Sequence, residues 1–319
     1  MKFAFILDPL DGLKAYKDSS VAMMREAARR GHEVWTVQRE TLACRDGRVG
    51  AAASRILPRA GGASWYEVLG EAQLPLAAFD AVLMRQDPPF DFEYVAATWL
   101  LERACAEGAR VFNRPRAIRD HSEKVAICEF PQFTATTLVA RRAEDIQAFI
   151  DEMAGQGSDT VLKPLDGMGG ASIFRVAGDD PNRNVIVETV TELGRRSVMA
   201  QRFIPQIADG DKRILLIDGE AAPYCLARFP KPGESRGNLA AGGTGVARPL
   251  SPRDREIAAT LGPLLAARGL LLVGLDVIGD YLTEINVTSP TCFVEIEQQT
   301  GCGVAALFID ALERHCAPA

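Results

Sequence analysis

Histidine is scarce in this chain: its 319 residues hold three, His32, His121 and His315, and none stands in a nucleophile motif, so covalent catalysis has little support. The dipeptide Gly-Lys never occurs, which excludes a Walker A loop, and no G-x-G-x-x-G lies between a strand and a helix, which excludes a dinucleotide fingerprint. No apolar run approaches the roughly 20 residues of a membrane helix. The opening "MKFAFILDPLDG" is too short and too early interrupted by aspartate for a signal-peptide core and reads as a first strand, so a cytoplasmic protein is expected. Seven cysteines are scattered without a C-x-x-C, which suits reduced thiols better than disulfides or metal ligands. In that setting the sequon Asn286-Val287-Thr288 is a chance match. A net charge of −6 without a basic stripe speaks against nucleic acid as a partner and leaves room for a local phosphate pocket.

What is present suits a globular chain of two or three domains, with 47% hydrophobic and 24% charged residues. Strand-like and helix-like stretches alternate from the start, the pattern of an α/β protein with a largely parallel sheet. "KFAFILD", "EVWTVQ", "DAVLMR" and "RVFN" read as strands. Between them stand the helices "SSVAMMREAARRG", with Ser19 or Ser20 as N-cap, and "FEYVAATWLLERACAEG". Near residue 120 the character changes to a small α+β unit that runs to about residue 200. Beyond it, "KRILLIDGEAAPYCLARF" alternates around Asp218-Gly219, a strong hairpin signal. A long glycine-rich loop follows over residues 230–250. The next helix has Ser251 as N-cap, Pro252 at its first position, Asp254 completing a capping box and Gly269 as C-cap.

The strongest chemical signal is "LLLVGLDVIGDYLTEINVTSPT". Asp276 interrupts an apolar strand, and Glu284 and Asn286, two apart on the next, share a face. Buried carboxylates need compensation, either from a cation such as Mg²⁺, which takes oxygen ligands, or from a structural ion pair with arginine or lysine. Register offers a check: a two-residue turn at Gly279-Asp280 sets Asp276 opposite Thr283, whereas a three-residue loop sets it opposite Glu284, so the metal reading predicts the longer loop. Arg213, in "DGDKRILLIDG", suits an anionic oxygen near such a site; its alternative is a solvated strand-edge arginine. In "VLKPLDGMGGASIFRV", Lys163 precedes Gly167, Gly169 and Gly170, which let backbone close on a bound phosphate. Lys124 opens a helix and is a weaker candidate, and "AQRFIP" offers groups able to frame a purine or simply a core strand.

In order along the chain, "DPLDGLKAYKDSS", "MRQDPPFD", "KPLDGMGGASIFRV", "DGDKRILLIDGE", "PYCLARFPKPGESRGNLAAGGTG" and "VGLDVIGDYLTEINVTSPT" resemble the bacterial glutathione synthetase family of the ATP-grasp superfamily. The resemblance implies an ATP-grasp fold with a Rossmann-like N-terminal domain (1–121), an α+β lid (122–200) and a C-terminal domain (201–319). It implies that Lys124, Lys163, Gly167, Gly169, Gly170 and Asp211 serve ATP, with Gln201, Arg202, Phe203 and Ile204 around the adenine. Asp276, Glu284 and Asn286 would hold two Mg²⁺, or Mn²⁺ in their place. Arg213 and Arg228 would stabilise the acyl phosphate made from γ-glutamylcysteine before glycine displaces phosphate. Arg236 and Asn238 would close the loop over that intermediate, and Ser19 and Arg85 would meet the dipeptide's charged ends. A homodimer or homotetramer is implied, with no nucleic acid or membrane partner. Two positions depart from the family pattern: Thr244 where an arginine is common, and Arg202 where a small polar residue is usual. A sister ligase of the D-alanine-D-alanine type and a non-catalytic ATP-binding module stand as alternatives.

Overall fold

The computed structural model describes residues 1–59, 64–167, 169–231, 237 and 242–317. Three sheets follow one another along the chain. In the first, the strand Lys2–Ile6 pairs in parallel with Glu33–Val37 on one side and Ala81–Met84 on the other, and Val111–Phe112 extends the parallel set. Phe3, Ala4, Phe5 and Ile6 are all buried, as expected of a strand covered on both faces. An antiparallel hairpin, Arg48–Pro58 with Tyr66–Pro75, carries the sheet outward. The first helix, Ser19–Arg29, is capped by Asp18, whose side chain accepts from Val21 N, rather than by either serine. Both serines are needed elsewhere: Ser20 Oγ accepts from Arg85 Nε at 3.0 Å and Ser19 Oγ from Phe293 N at 3.2 Å.

The second sheet is small and antiparallel, in the order Phe174–Val176, Thr160–Pro164, Val198–Arg202, Thr137–Ala140. Period-two alternation divides its faces. Leu162, Val198 and Ala200 pack under the helices Ala143–Gly155 and Arg183–Val190 against Ile146, Ile150 and Val187. Val161, Lys163 and Gln201 are turned to the opposite face.

The third sheet is antiparallel, ordered Thr244–Pro249, Tyr224–Phe229, Asp211–Ile217, Leu272–Ile278, Tyr281–Asn286, with Glu220–Ala221 pairing Asp211–Ile217. Asp218 and Gly219 both have positive φ, 54° and 84°, as the two-residue turn read from the sequence requires. The capping box of Ser251 and Asp254 forms on the helix Pro252–Ala267, whose C-cap is Arg268, with Gly269 next at φ 90°. The segment 230–250 is not loop throughout: Thr244–Pro249 is an edge strand paired with Tyr224–Phe229. Ile214, Leu216, Leu275 and Val277 face the helix Pro252–Ala267, while Leu215 and Ile217 join Phe293, Ile296 and Phe308 from the last two helices, Phe293–Thr300 and Val304–Cys316. All seven cysteines are free. Among the described residues no helix is long and apolar enough to cross a membrane.

Candidate active site

Strand pairing in the third sheet sets charged residues side by side. Asp211 lies opposite Arg228, Arg213 opposite Asp276, Asp276 opposite Glu284, and Gly274 opposite Asn286. Directly paired residues project from the same face, as do residues two apart on one strand, so these side chains form one row across four adjacent strands. The three-residue loop expected at the hairpin tip is not there. Ile278 pairs with Tyr281 across a two-residue turn, and the ladder then shifts by one residue between Val277 and Asp276, leaving Thr283 as the extra residue of a β-bulge. The bulge brings Asp276 opposite Glu284 by another route, and Thr283 Oγ1 donates to Asp276 O at 3.1 Å.

Arg213 is buried rather than solvated at a strand edge. Its guanidinium grips Asp276 at 2.5 and 3.1 Å, and Arg228 Nη2 reaches Asp276 at 2.9 Å and Asp211 at 2.5 Å. Burial alone would raise the Asp276 carboxyl, but the two guanidiniums outweigh it and hold it well below the ordinary range. Burial likewise opposes the charge on Arg213, yet Asp276 raises it. Asp211 moves the other way: burial, reinforced by Asp276, pushes its carboxyl up against the pull of Arg228, and among the described residues its Oδ1 has no hydrogen-bond partner. Two buried carboxylates sharing two arginines explain the split, since Asp276 holds both guanidiniums and Asp211 only one.

Facing this row is a cleft that brings together Lys124, Lys163, Gly167, Gly169, Gly170, Gln201, Arg202, Phe203, Ile204, Asp211, Asp276 and Glu284. Lys124 Nζ donates to Gly167 O at 2.7 Å and lies 3.4 Å from Glu284 Oε1. Lys163 Nζ donates to Gln201 Oε1 at 3.3 Å and to Thr283 O at 3.4 Å, and burial lowers its pKa against the pull of Glu284. Arg202 lines the cleft with its guanidinium 5.2 Å from the Tyr281 ring centroid, while Thr244 is exposed on the edge strand. Arg213, Arg228 and Asn286 stand along the row outside the cleft lining. Arg85 is buried, its Nη2 donating to Pro290 O at 2.9 Å and its Nη1 without a partner among the described residues. Arg236 and Asn238 lie outside the described residues.

A hard cation would meet only oxygen donors here. Among the described residues no three His, Cys, Asp or Glu side chains gather into a metal site by themselves, so Asp276, Glu284 and the carboxamide of Asn286 would form a partial shell of the kind Mg²⁺ completes with water and phosphate oxygen. Asn286 Nδ2 donates to Gly274 O at 3.1 Å, which leaves Oδ1 as its donor to a cation. The residues fit the ion.

A family model of the prokaryotic glutathione synthetase N-terminal domain matches residues 1–119, and one of the same enzyme's ATP-grasp domain matches residues 123–301. The chain belongs to the prokaryotic glutathione synthetase family. It is 60% identical to the glutathione synthetase of Nitrosomonas europaea, with 99% of each chain covered, and 59% identical to that of Ralstonia nicotianae, with 98% and 96% covered. Its fold resembles that of a D-cycloserine synthetase, with a TM-score of 0.69 at 15% identity over 99% of this chain and all of the other. Like the glutathione synthetases it matches, the chain is an ATP-grasp ligase that forms glutathione. Several cleft residues of this glutathione synthetase family member were not read from the sequence. Val161 and Ile278 stand two residues from Lys163 and Asp276, so strand alternation carried a signal for them; Arg175, whose guanidinium sits 3.9 Å from the Phe203 ring centroid, had none.

Proposed function

We propose that the chain joins γ-glutamylcysteine to glycine with these residues in the following roles. Lys124 and Lys163 bind the ATP phosphates under the Gly167–Gly170 turn, and Gln201 to Ile204 border the adenine beside Val161 and Ile278. Asp276, Glu284 and Asn286 hold two Mg²⁺, or Mn²⁺, which when bound supply charge neutralisation at phosphate oxygens. The cysteinyl carboxylate attacks the γ-phosphorus, ADP leaves, and the glycine amine then displaces phosphate from the acyl phosphate. Arg213 and Arg228, already held by Asp276, need no reorganisation as charge develops on the transferred group. Arg85, with one buried nitrogen unpaired among the described residues, takes a carboxylate of the dipeptide, and Ser19 adjoins Ser20, the helix-end residue that Arg85 contacts. The segment 230–250, with Arg236 and Asn238, excludes water from the intermediate.

The observation that carries this reading is the single row of Arg228, Asp211, Arg213, Asp276 and Glu284 across from two buried lysines. Divisions near residues 121 and 200, a homodimer or homotetramer, and a cytoplasmic setting belong to the same reading; sedimentation tests the assembly. The direct test measures ADP release with Mg²⁺, ATP and γ-glutamylcysteine, with and without glycine, alongside mass detection of the product. Glycine-dependent release matched by glutathione is expected. Release with another acceptor alone would point to a sister ligase, and binding without turnover to a regulatory module.

A further inference from the structure

Three hydrogen bonds converge on one carboxylate oxygen of Glu123: from Val287 N at 3.0 Å, Thr288 N at 3.2 Å and Thr288 Oγ1 at 2.8 Å. The backbone carbonyl of the same residue accepts from Ile285 N at 2.8 Å. Asn286 lies between these anchors, so the amides on either side of it both end on Glu123. The next residue, Lys124, reaches Gly167 O at 2.7 Å and Glu284 Oε1 at 3.4 Å. One dipeptide therefore touches the glycine turn and the strand end that bears Glu284 and Asn286. Glu123 itself does not line the nucleotide cleft.

We infer that Glu123 is a positioning residue: it fixes the backbone on both sides of Asn286 and, through the peptide it shares with Lys124, ties the glycine turn to the strand carrying the oxygen ligands. A strand end left to itself frays, and a carboxamide on a frayed end presents its oxygen poorly; a carboxylate accepting two backbone amides and a hydroxyl removes that freedom. The inference rests on the roles proposed above for Lys124, Glu284 and Asn286.

The test compares Glu123→Ala, Thr288→Val, Thr288→Ser and Asn286→Ala in the full-length chain. Turnover is measured against Mg²⁺ concentration, and Mn²⁺ binding in the presence of ADP by electron paramagnetic resonance. Glu123→Ala is expected to lower kcat and Mn²⁺ affinity by about 10- to 100-fold, the usual effect of losing a group that orients a ligand, with a smaller change in KM for ATP. Thr288→Val should fall between it and the parent, Thr288→Ser should behave as the parent, and the Glu123→Ala/Thr288→Val double variant should be no worse than Glu123→Ala. A folded Glu123→Ala that melts earlier but keeps kcat and Mn²⁺ affinity overturns the inference by showing a merely structural residue. Should Glu123→Ala not fold, unchanged Mn²⁺ binding in Thr288→Val overturns it instead. If Asn286→Ala weakens Mn²⁺ binding and the Glu123 and Thr288 variants do not, the clamp alone falls. If Asn286→Ala has no effect either, the reading of the site falls with it.

Discussion

The two walls of the cleft hold their cations differently. On one side, Lys163 rests on a carboxamide oxygen and a backbone carbonyl at 3.3 and 3.4 Å, and Lys124 on a backbone carbonyl with its nearest carboxylate at 3.4 Å. Along the row on the opposite side, outside the cleft lining itself, Arg213 forks onto Asp276 and Arg228 Nη2 bridges Asp276 and Asp211, at 2.5 to 3.1 Å. Neutral acceptors are easily exchanged for a phosphate oxygen, whereas a buried ion pair is not. In the roles proposed above, the lysine wall would take up and release nucleotide and the arginine wall would keep its geometry while chemistry happens.

Variants on each wall sharpen this contrast. Arg213→Ala should have the largest effect, about 2 to 4 kcal/mol of barrier, with modest loss of ATP affinity. Steady-state kinetics together with ADP calorimetry check it, and a normal kcat would remove Arg213 from the machinery. Gly274→Ala comes next. A Cβ there would meet Arg213 Cδ at 2.9 Å and Pro290 Cβ at 3.1 Å, so the guanidinium must shift, costing about 1 to 3 kcal/mol divided between stability and turnover. Thermal melts run beside kcat measurements apportion it; an unchanged enzyme would show that the arginine wall is softer than its ion pairs imply. Lys163→Met should weaken ADP binding about tenfold, about 1.4 kcal/mol, while disturbing kcat less than Arg213→Ala does. The reverse ranking would break the division of labour between the walls.

The smallest effect belongs to an ion network far from the cleft. Arg29 holds the Glu26 carboxyl down to about 2 from an ordinary 4.5, with burial opposing and Arg30 assisting, and Arg30 reaches on to Asp310 at 2.6 Å. A depressed carboxyl stabilises the fold above its ordinary pKa and loses that contribution as the pH falls toward about 2. The advantage over Glu26→Gln should therefore be under about 1 kcal/mol at neutral pH and fade between pH 4.5 and 2 in thermal melts.

The site was legible in the sequence where strand alternation carried it. Asp276 in an apolar run, Glu284 and Asn286 two apart, and Arg213 on a neighbouring strand fall on one face because a pleat repeats every two residues. The bulge was not legible. Gly279-Asp280 encodes a good two-residue turn, and nothing in the composition of "YLTEIN" announces an extra residue. In "KDSS" all of Asp18, Ser19 and Ser20 can cap a helix, and only Arg85 and Phe293, distant in sequence, decide which does. The hairpin Arg48–Pro58 with Tyr66–Pro75 went unread because its alanines and exposed face give a weak alternation. Glu123 gave no sign of its part, since its partners lie more than 160 residues away.

The bulge at Thr283 also gives the hairpin one residue of slack. With the same turn and a regular ladder, Asp276 would face Thr283 and the carboxylate row would end one strand early. Because the correction is made beside the site and not at the tip, the turn at Gly279-Asp280 answers only to its own backbone preferences, and the alignment of Asp276 with Glu284 is decided separately.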